Sequence, residues 1–206
     1  MATRRLAAHK KGALAAGQRL VFGEECGFSQ RPTVRRTWAL RGQTPTGYEQ
    51  FNWQRLAAAG AVAWHPGPPR TRLFLSRRPG ALDAEAAVNF RRNLRRHLRG
   101  PVVVLGAGLP AHRSRLVQKY LRPQAHWLSV ARLPAYAPEL NPGEGRRADL
   151  KSHASVNYAP DTTNELDQHL KGATRRLRRR ACRGLVYIKH TGLLGEREYR
   201  QLCERQ

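Results

Sequence analysis

Aspartate is scarce in this 206-residue chain. Only Asp83, Asp149, Asp161 and Asp167 occur, and none falls between residues 84 and 148, so the middle of the chain offers little carboxylate chemistry. No apolar run approaches the roughly 18 residues that a membrane-spanning helix needs. The opening Met1-Ala-Thr-Arg-Arg has no apolar centre of the kind a secretory signal carries. The reading is a soluble, intracellular chain with no membrane partner. Cys26, Cys182 and Cys203 are odd in number, widely spaced and form no Cys-x-x-Cys. They read as reduced thiols, neither a zinc site nor a disulfide frame.

Positive charge is abundant. Lys and Arg total 38 against 14 Asp and Glu, a formal net charge of +24, which calls for a polyanionic partner, and only nucleic acid or an anionic membrane fits. Arginine supplies 32 of the 38 cations. Its planar fork suits phosphate, but the same bias follows from a GC-rich genome, and both readings stand. With 40% hydrophobic residues the chain is long enough to bury a core, as one compact domain with a small appendage.

Basic, Ala-rich residues 1–17 read as the end of a helix. Gln18 to Phe22 predicts a strand delivering Glu24 and Glu25 at its C-terminal end. Arg31 to Pro45 is β-prone but broken by turn residues. Gln54 to Trp64 and Thr71 to Leu75 predict two more strands, separated by His65-Pro66-Gly67-Pro68-Pro69, so the first part reads as an antiparallel meander. Helix and strand then alternate. Asp83 is a good N-cap, and Ala87, Phe90, Leu94 and Leu98 recur at helical spacing until Gly100-Pro101. Pro101 to Leu105 predicts a buried parallel strand. A helix through Leu116, Val117, Tyr120 and Leu121 and a strand over Trp127 to Leu133 follow. Another helix starts near Gly143 and runs past Leu150, and a last one runs from Thr162 with Glu165 as its capping box. The order predicts an α/β, ribonuclease-H-like domain: a mixed five-stranded sheet, three strands antiparallel and then parallel ones, flanked by helices.

The most specific stretch is Arg132-Leu-Pro-Ala-Tyr-Ala-Pro-Glu-Leu-Asn-Pro-Gly-Glu144. It is a loop stiffened by Pro134, Pro138 and Pro142 that delivers Glu144 near a helix start, where a carboxylate also simply favours the helix dipole. Gly108-Leu-Pro-Ala-His112-Arg-Ser114 follows a buried strand, and Glu24-Glu25-Cys-Gly-Phe28 precedes Arg31-Pro32 and Trp38.

In this order the three blocks resemble the DDE transposases of the mariner-like superfamily, particularly the bacterial insertion-sequence branch. Those proteins read Asp-Glu-x-Gly-Phe, Asp-(Asn/Gly)-x-Pro-x-His and Leu-Pro-x-Tyr-x-Pro-x-Leu-Asn-Pro-x-Glu, and the likeness covers residues from about 18 to 190. It implies two divalent ions, Mg2+ or Mn2+, that activate water or a DNA 3′-hydroxyl for in-line attack on a phosphodiester. It implies DNA cleavage and strand transfer, with DNA as partner, a homo-oligomer or an intact transposase as a possible second one, and a bacterial, cytoplasmic, nucleoid-associated location.

Carried over residue by residue, the acids fall on Glu24, Ala107 and Glu144, with Glu24 and Glu144 as metal ligands. Only Glu144 is the expected residue. Glu24 adds a methylene that can displace an oxygen by roughly an ångström, a scale that costs ~100-fold in rate. Ala107 offers no ligand, and its 37-residue separation from Glu144 is the family's own spacing. The family's Trp after the third acid is replaced by Arg147, preceded by Gly145-Arg146. His112 is placed by the resemblance to orient a metal-site water. On residue chemistry alone, His112 and Ser114 are too close at a helix start to make a base and nucleophile, and Ser114 reads as a cap. Glu25 reads either as the family's second acidic position or as a solvated charge.

Gly106-Ala-Gly-Leu-Pro-Ala111 also fits a dinucleotide-binding fingerprint. Pro110 stiffens that loop, however, and no acid follows at the ribose-binding distance. Basic clusters are the better functional signal. Arg175, Arg176, Arg178, Arg179 and Arg180 cover more than one face of the last helix, and Arg91, Arg92, Arg95, Arg96 and Arg99 stud an earlier one. Arg35, Arg36, Arg175, Arg176 and Arg179 are taken as nucleic-acid-binding. The four tryptophans read as core packing by default, with base stacking as the alternative.

Three segments are expected: a basic N-terminal remnant (1–17), a catalytic domain (18–158) and a basic helical extension (159–206). Family members carry N-terminal helix-turn-helix modules, for which about 20 residues before the first block leave no room. The expectation is a truncated, catalytically degenerate transposase-family protein that binds DNA weakly, or else a non-catalytic DNA-binding or assembly remnant.

Overall fold

The structure is a computed structural model that describes residues 2–47, 54–65, 67, 70–106, 114–134, 137–180 and 182–204. Ala107, His112 and Trp53 lie outside the described residues.

A helix, α1 (Ala2–Ala15), is followed by β1 (Arg19–Ser29), β2 (Arg55–Trp64), β3 (Thr71–Pro79), α2 (Ala84–His97), β4 (Val102–Gly106), α3 (Arg115–Leu121) and β5 (Leu128–Arg132). Then come α4 (Pro142–Asp149), whose last turn loosens into a π turn over Leu150–Ala154, α5 (Thr163–Arg179), α6 (Arg183–His190) and α7 (Glu196–Glu204). The strands form one sheet in the order β3-β2-β1-β4-β5. β1 pairs antiparallel with β2 and β2 with β3, whereas β4 runs parallel to both β1 and β5. This is the predicted mixed, ribonuclease-H-like sheet.

Two departures concern β1 and the segment after it. The strand does not stop at Phe22: it pairs with β2 from Leu20↔Trp64 through Ser29↔Arg55. Glu24 and Glu25 therefore sit mid-strand, because a continuous antiparallel partner outweighs the weak strand preference of Gly23, the two glutamates and Gly27. The β-prone stretch Arg31 to Pro45 joins no sheet. It makes one isolated bridge, Thr33↔Val156, and otherwise runs exposed.

Alternation along β1 sends even-numbered side chains to one face and odd-numbered ones to the other. Leu20 and Phe22 pack with Val62, Trp64 and Leu105 beneath α1, α6 and α7, and Leu6 and Ala13 of α1 belong to that cluster. Phe28, Leu56 and Ala58 pack under α5 through Leu166, Leu170 and Ala173. On the other face Val21, Ala61, Val104 and Phe74 meet Leu94 and Leu98 of α2 and Trp127.

The caps follow the sequence. Asp83 accepts from Ala86 N at 2.7 Å, and Ser114 caps α3 by accepting from Val117 N at 3.3 Å. Thr162 accepts from Glu165 N, while the Glu165 carboxylate accepts from Asp161 N instead of from the cap residue's own N–H. The cysteine expectation is corrected. Cys182, at the start of α6, is disulfide-bonded to Cys203 in α7, and Cys26 is the free thiol. Two helices that pack together bring residues 21 positions apart to a Cα separation of 5.5 Å, and no sequence spacing advertises that. Among the described residues no helix is long and apolar enough to cross a membrane.

Candidate functional site

The middle of β1 meets the first turn of α4 on the even-numbered face of the sheet. Asn141 aims that turn: its carbonyl oxygen accepts from Gly143 N at 3.0 Å, and its amide donates to the Gly23 carbonyl at 3.2 Å. The approach is close. A methyl group on Gly143 would lie 3.1 Å from both Cβ and Cδ of Glu24. The end of β4 arrives at the same place, since a Cβ on Gly106 would stand 3.5 Å from the Gly23 carbonyl oxygen.

Glu24 and Glu144 are therefore brought together, but they differ in environment. The Glu24 side chain is 1% exposed, and Arg146, equally buried, lies against it. Arg146 donates from Nε to Glu24 Oε1 at 2.9 Å and from Nη2 to the same oxygen, while Nη1 reaches the Phe74 carbonyl of β3. Glu144 is at the surface, 32% exposed, and is paired with Arg147 three residues along the helix. Burial pushes the Glu24 carboxyl above the ordinary glutamate range; the Arg146 charge and hydrogen bond oppose the rise, and the Glu144 charge adds to it. The two carboxylates thus feel each other.

Glu25 points to the opposite face. There it lines a cavity of about 440 Å³ between the sheet and α2 and α3, together with Val21, Phe90, Leu121 and Arg132. Arg91 also lines that cavity and is buried, its Nη1 donating to the Ala87 carbonyl at 2.8 Å. Its place in a phosphate-binding stripe is corrected: position 91 falls on the apolar side of α2 with Ala87, Val88 and Leu94. Burial lowers the Arg91 pKa and the Glu25 charge opposes that.

Arg35, Arg36, Arg175, Arg176 and Arg179 are all exposed. Arg178 is not equivalent to its neighbours, because its Nε donates to the Leu73 carbonyl at 2.9 Å. Trp64 and Trp127 are core residues, whereas Trp38 is 99% exposed. Arg146 was missed in the sequence as a site residue. The available signals were its spacing of four from Leu150 on one helix face and a glycine, Gly60, interrupting the Ala-rich β2.

Paired divalent ions need several hard oxygen ligands. The donor set here does not fit them. One Glu24 oxygen is taken by a guanidinium, Glu144 is paired with another, and among the described residues no three His, Cys, Asp or Glu side chains are grouped to hold a metal.

Comparison with known proteins agrees with this architecture. The family described as DDE superfamily endonuclease matches residues 19–167. Among solved structures, the Mos1 transposase paired-end complex with left transposon end superposes with a TM-score of 0.59 at 21% identity, covering 98% of this chain and 58% of that one. The Mos1 strand transfer complex gives 0.63 at 19% identity, with 99% and 59% covered. The isolated catalytic domain of Mos1 mariner transposase gives 0.52 at 17% identity, with 99% and 93% covered. Mos1 paired-end complexes with Mn and with Mg are also similar. The chain spans about three-fifths of the Mos1 chains in the DNA complexes. No curated protein sequence matches it.

Proposed function

Because the chain belongs to the DDE superfamily endonuclease family, we propose that it is a transposase-type protein of the bacterial insertion-sequence branch that binds DNA through its arginines and has lost phosphodiester cleavage and strand transfer. The observation that carries this is the pairing of both surviving carboxylates with arginines of the same helix: Glu24 with Arg146 and Glu144 with Arg147. The motif from Arg132 to Glu144 supports the branch, and the Mos1 complexes with a transposon end support DNA as the ligand. In relatives of this kind Mg2+ or Mn2+ supplies the charge that activates the attacking oxygen. Here no step is assigned to an ion, and what this chain's residues do is hold phosphates by exposed guanidinium groups, with affinity that falls steeply with salt and depends little on sequence.

The test is a mobility shift on duplex DNA beside a nicking assay on supercoiled plasmid, each with EDTA, Mg2+ or Mn2+. The expected result is a metal-independent shift with no nicking under any ion. Metal-dependent nicking that disappears in Glu144→Ala overturns the proposal in favour of an active enzyme.

A second reading, pairing with another copy or with an intact transposase, is favoured by one observation. In the segment 33–47, Val34, Trp38 and Leu40 are 81%, 99% and 73% exposed. Inhibition of an active transposase in trans, without independent activity, would select it.

A further inference from the structure

We propose that Arg146 is the resident cation of the Glu24 site: a guanidinium built into the sheet–helix junction that completes the charge of Glu24 and closes the site to divalent ions. The inference rests on the loss of cleavage proposed above, and it gives that loss a second cause besides the missing acid.

The berth for this guanidinium is made by β2. Gly60 stands directly across the ladder from Glu24, and a Cβ there would lie 1.5 Å from Arg146 Nη2 and 2.4 Å from Cζ. Only a residue without a side chain allows the planar group to lie flat on the strand. The flanking Ala58, Ala59 and Ala61 are small as well and are themselves buried. Arg146 then spans three strands, hydrogen-bonded to Glu24 of β1 and the Phe74 carbonyl of β3 while resting on Gly60 of β2. A buried arginine needs such a set of acceptors, and here each nitrogen finds one.

The longer acid fits the same picture. Only a glycine at 143 leaves room for the Glu24 side chain, since a Cβ there would lie 3.1 Å from Glu24 Cβ and Cδ, and Glu24 Oε1 reaches the guanidinium. Residues 24, 60 and 146 are therefore one mutually dependent arrangement. Glu24 Oε2 is buried and has no hydrogen-bond partner among the described residues, so among them one carboxylate oxygen is left unsatisfied beside the arginine. A divalent ion seeking it would have to sit next to a fixed positive charge in a buried setting, where like charges repel strongly.

The consequence is specific: restoring an acid at position 107 is not enough to restore metal binding, because Arg146 must also leave. The test compares the full chain with its A107D, R146M, A107D/R146M and E24Q/R146M variants. Mn2+ binding is read by the loss of the free-ion electron paramagnetic resonance signal, and stability by melting in EDTA and in Mn2+.

The native chain and A107D are expected to bind no Mn2+ and to melt identically in EDTA and Mn2+. A107D/R146M is expected to bind at least about tenfold more tightly than A107D and to melt higher in Mn2+ than in EDTA, the response expected when a ligand binds only the folded state. E24Q/R146M, with both charges removed, is expected to fold and to ignore the ion, which serves as the control if R146M cannot fold without metal.

The proposal is overturned if A107D alone binds Mn2+ as tightly as A107D/R146M, if neither binds, or if E24Q/R146M is no more stable than R146M. The nicking assay on the native chain decides the loss of cleavage separately. Absence of nicking combined with any of these three results would leave that loss standing and remove Arg146 as a cause.

Discussion

Asn157 brackets the backbone of Arg35. Its side-chain oxygen accepts from Arg35 N at 2.9 Å, and its amide donates to the Arg35 carbonyl at 3.0 Å, while Asn157 N donates to the Thr33 carbonyl. Residues 122 positions apart thereby fix where the exposed segment carrying Arg35, Arg36 and Trp38 leaves the domain.

Asn157 has a φ of 52°, a left-handed conformation that Asn tolerates better than other side chains do. Asn157→Ala is expected to lose both bracketing bonds and to add backbone strain, for a total of about 1–2 kcal/mol. Trypsin cleavage after Arg35, Arg36 and Arg41 should accelerate, read by mass spectrometry of timed digests. Unchanged cleavage would mean that the segment is held by something else.

Gly60 makes the strongest packing prediction. Gly60→Ala places a methyl within the van der Waals radius of Arg146 and should expel the guanidinium, leaving Glu24 buried without its partner. Breaking a buried pair of this kind costs about 3–5 kcal/mol. In an R146M background the same substitution should cost less than about 1 kcal/mol, because the clash is gone. Urea denaturation of the four proteins checks the cycle, and additive losses would show that the two positions are independent.

These two cases also show what could be read along the chain. The strands β2, β4 and β5 and the helices α2 and α5 were legible because apolar periodicity and caps coincide there: Asp83 before α2, Thr162 before α5, and Gly100-Pro101 before β4. β1 beyond Phe22 was not, since its pairing is supplied by β2 and not by its own residues. The short α6 and α7 follow a run of arginines that masks their periodicity. Arg91 and Arg146 were the instructive failures. An arginine reads as solvated unless its helix face is examined, and both lie on buried faces where the carboxylates that act on them, Glu25 for Arg91 and Glu24 for Arg146, are remote in sequence. The convergence of Glu24 with Glu144 was legible only through the family motif.

The thiols should behave unequally. Burial, reinforced by the Glu24 charge, pushes the Cys26 pKa up to about 11, so at pH 8 its thiolate fraction is small. Titration with a thiol reagent in denaturant is expected to count one thiol without reductant and three with it. The native protein should react slowly. Reduction of Cys182–Cys203 should speed amide exchange in α7, which has no fully buried residue of its own. Three fast-reacting thiols in the native, unreduced chain would contradict this arrangement.

Asp167 gives a pH dependence with a defined sign. Partial burial works to raise its pKa, but hydrogen bonds from Arg77 at 2.6 Å and Lys171 at 2.9 Å more than offset that and hold it below the ordinary aspartate value. A depressed carboxyl contributes stability above its unfolded pKa of about 3.9 and loses it as pH falls through the lower folded value. Asp167→Asn should therefore cost about 1 kcal/mol at neutral pH. The gap from the parent should close below about pH 4, measured by chemical denaturation across pH. A gap that persists at acid pH would assign the cost to packing.

The phosphate-binding assignment can be read from salt dependence. Each arginine engaged with a duplex phosphate contributes about 0.9 to the slope of log K against log salt. If Arg175, Arg176 and Arg179 of α5 all touch DNA, R175A/R176A/R179A should lower the slope by nearly 3, and R35A/R36A by nearly 2. Arg178 should not follow the same rule. Its guanidinium is engaged with the Leu73 carbonyl of β3, so R178A should lower stability while leaving the slope nearly unchanged. Burial likewise removes Arg91 from the set. Fluorescence anisotropy over a salt series in EDTA measures each slope without invoking metal. A loss confined to the α5 triple would seat DNA on that helix, and a loss confined to the pair would seat it on the arm. Parent-like slopes in both would remove these five residues from the interface and leave the remaining cations to account for a chain of charge +24.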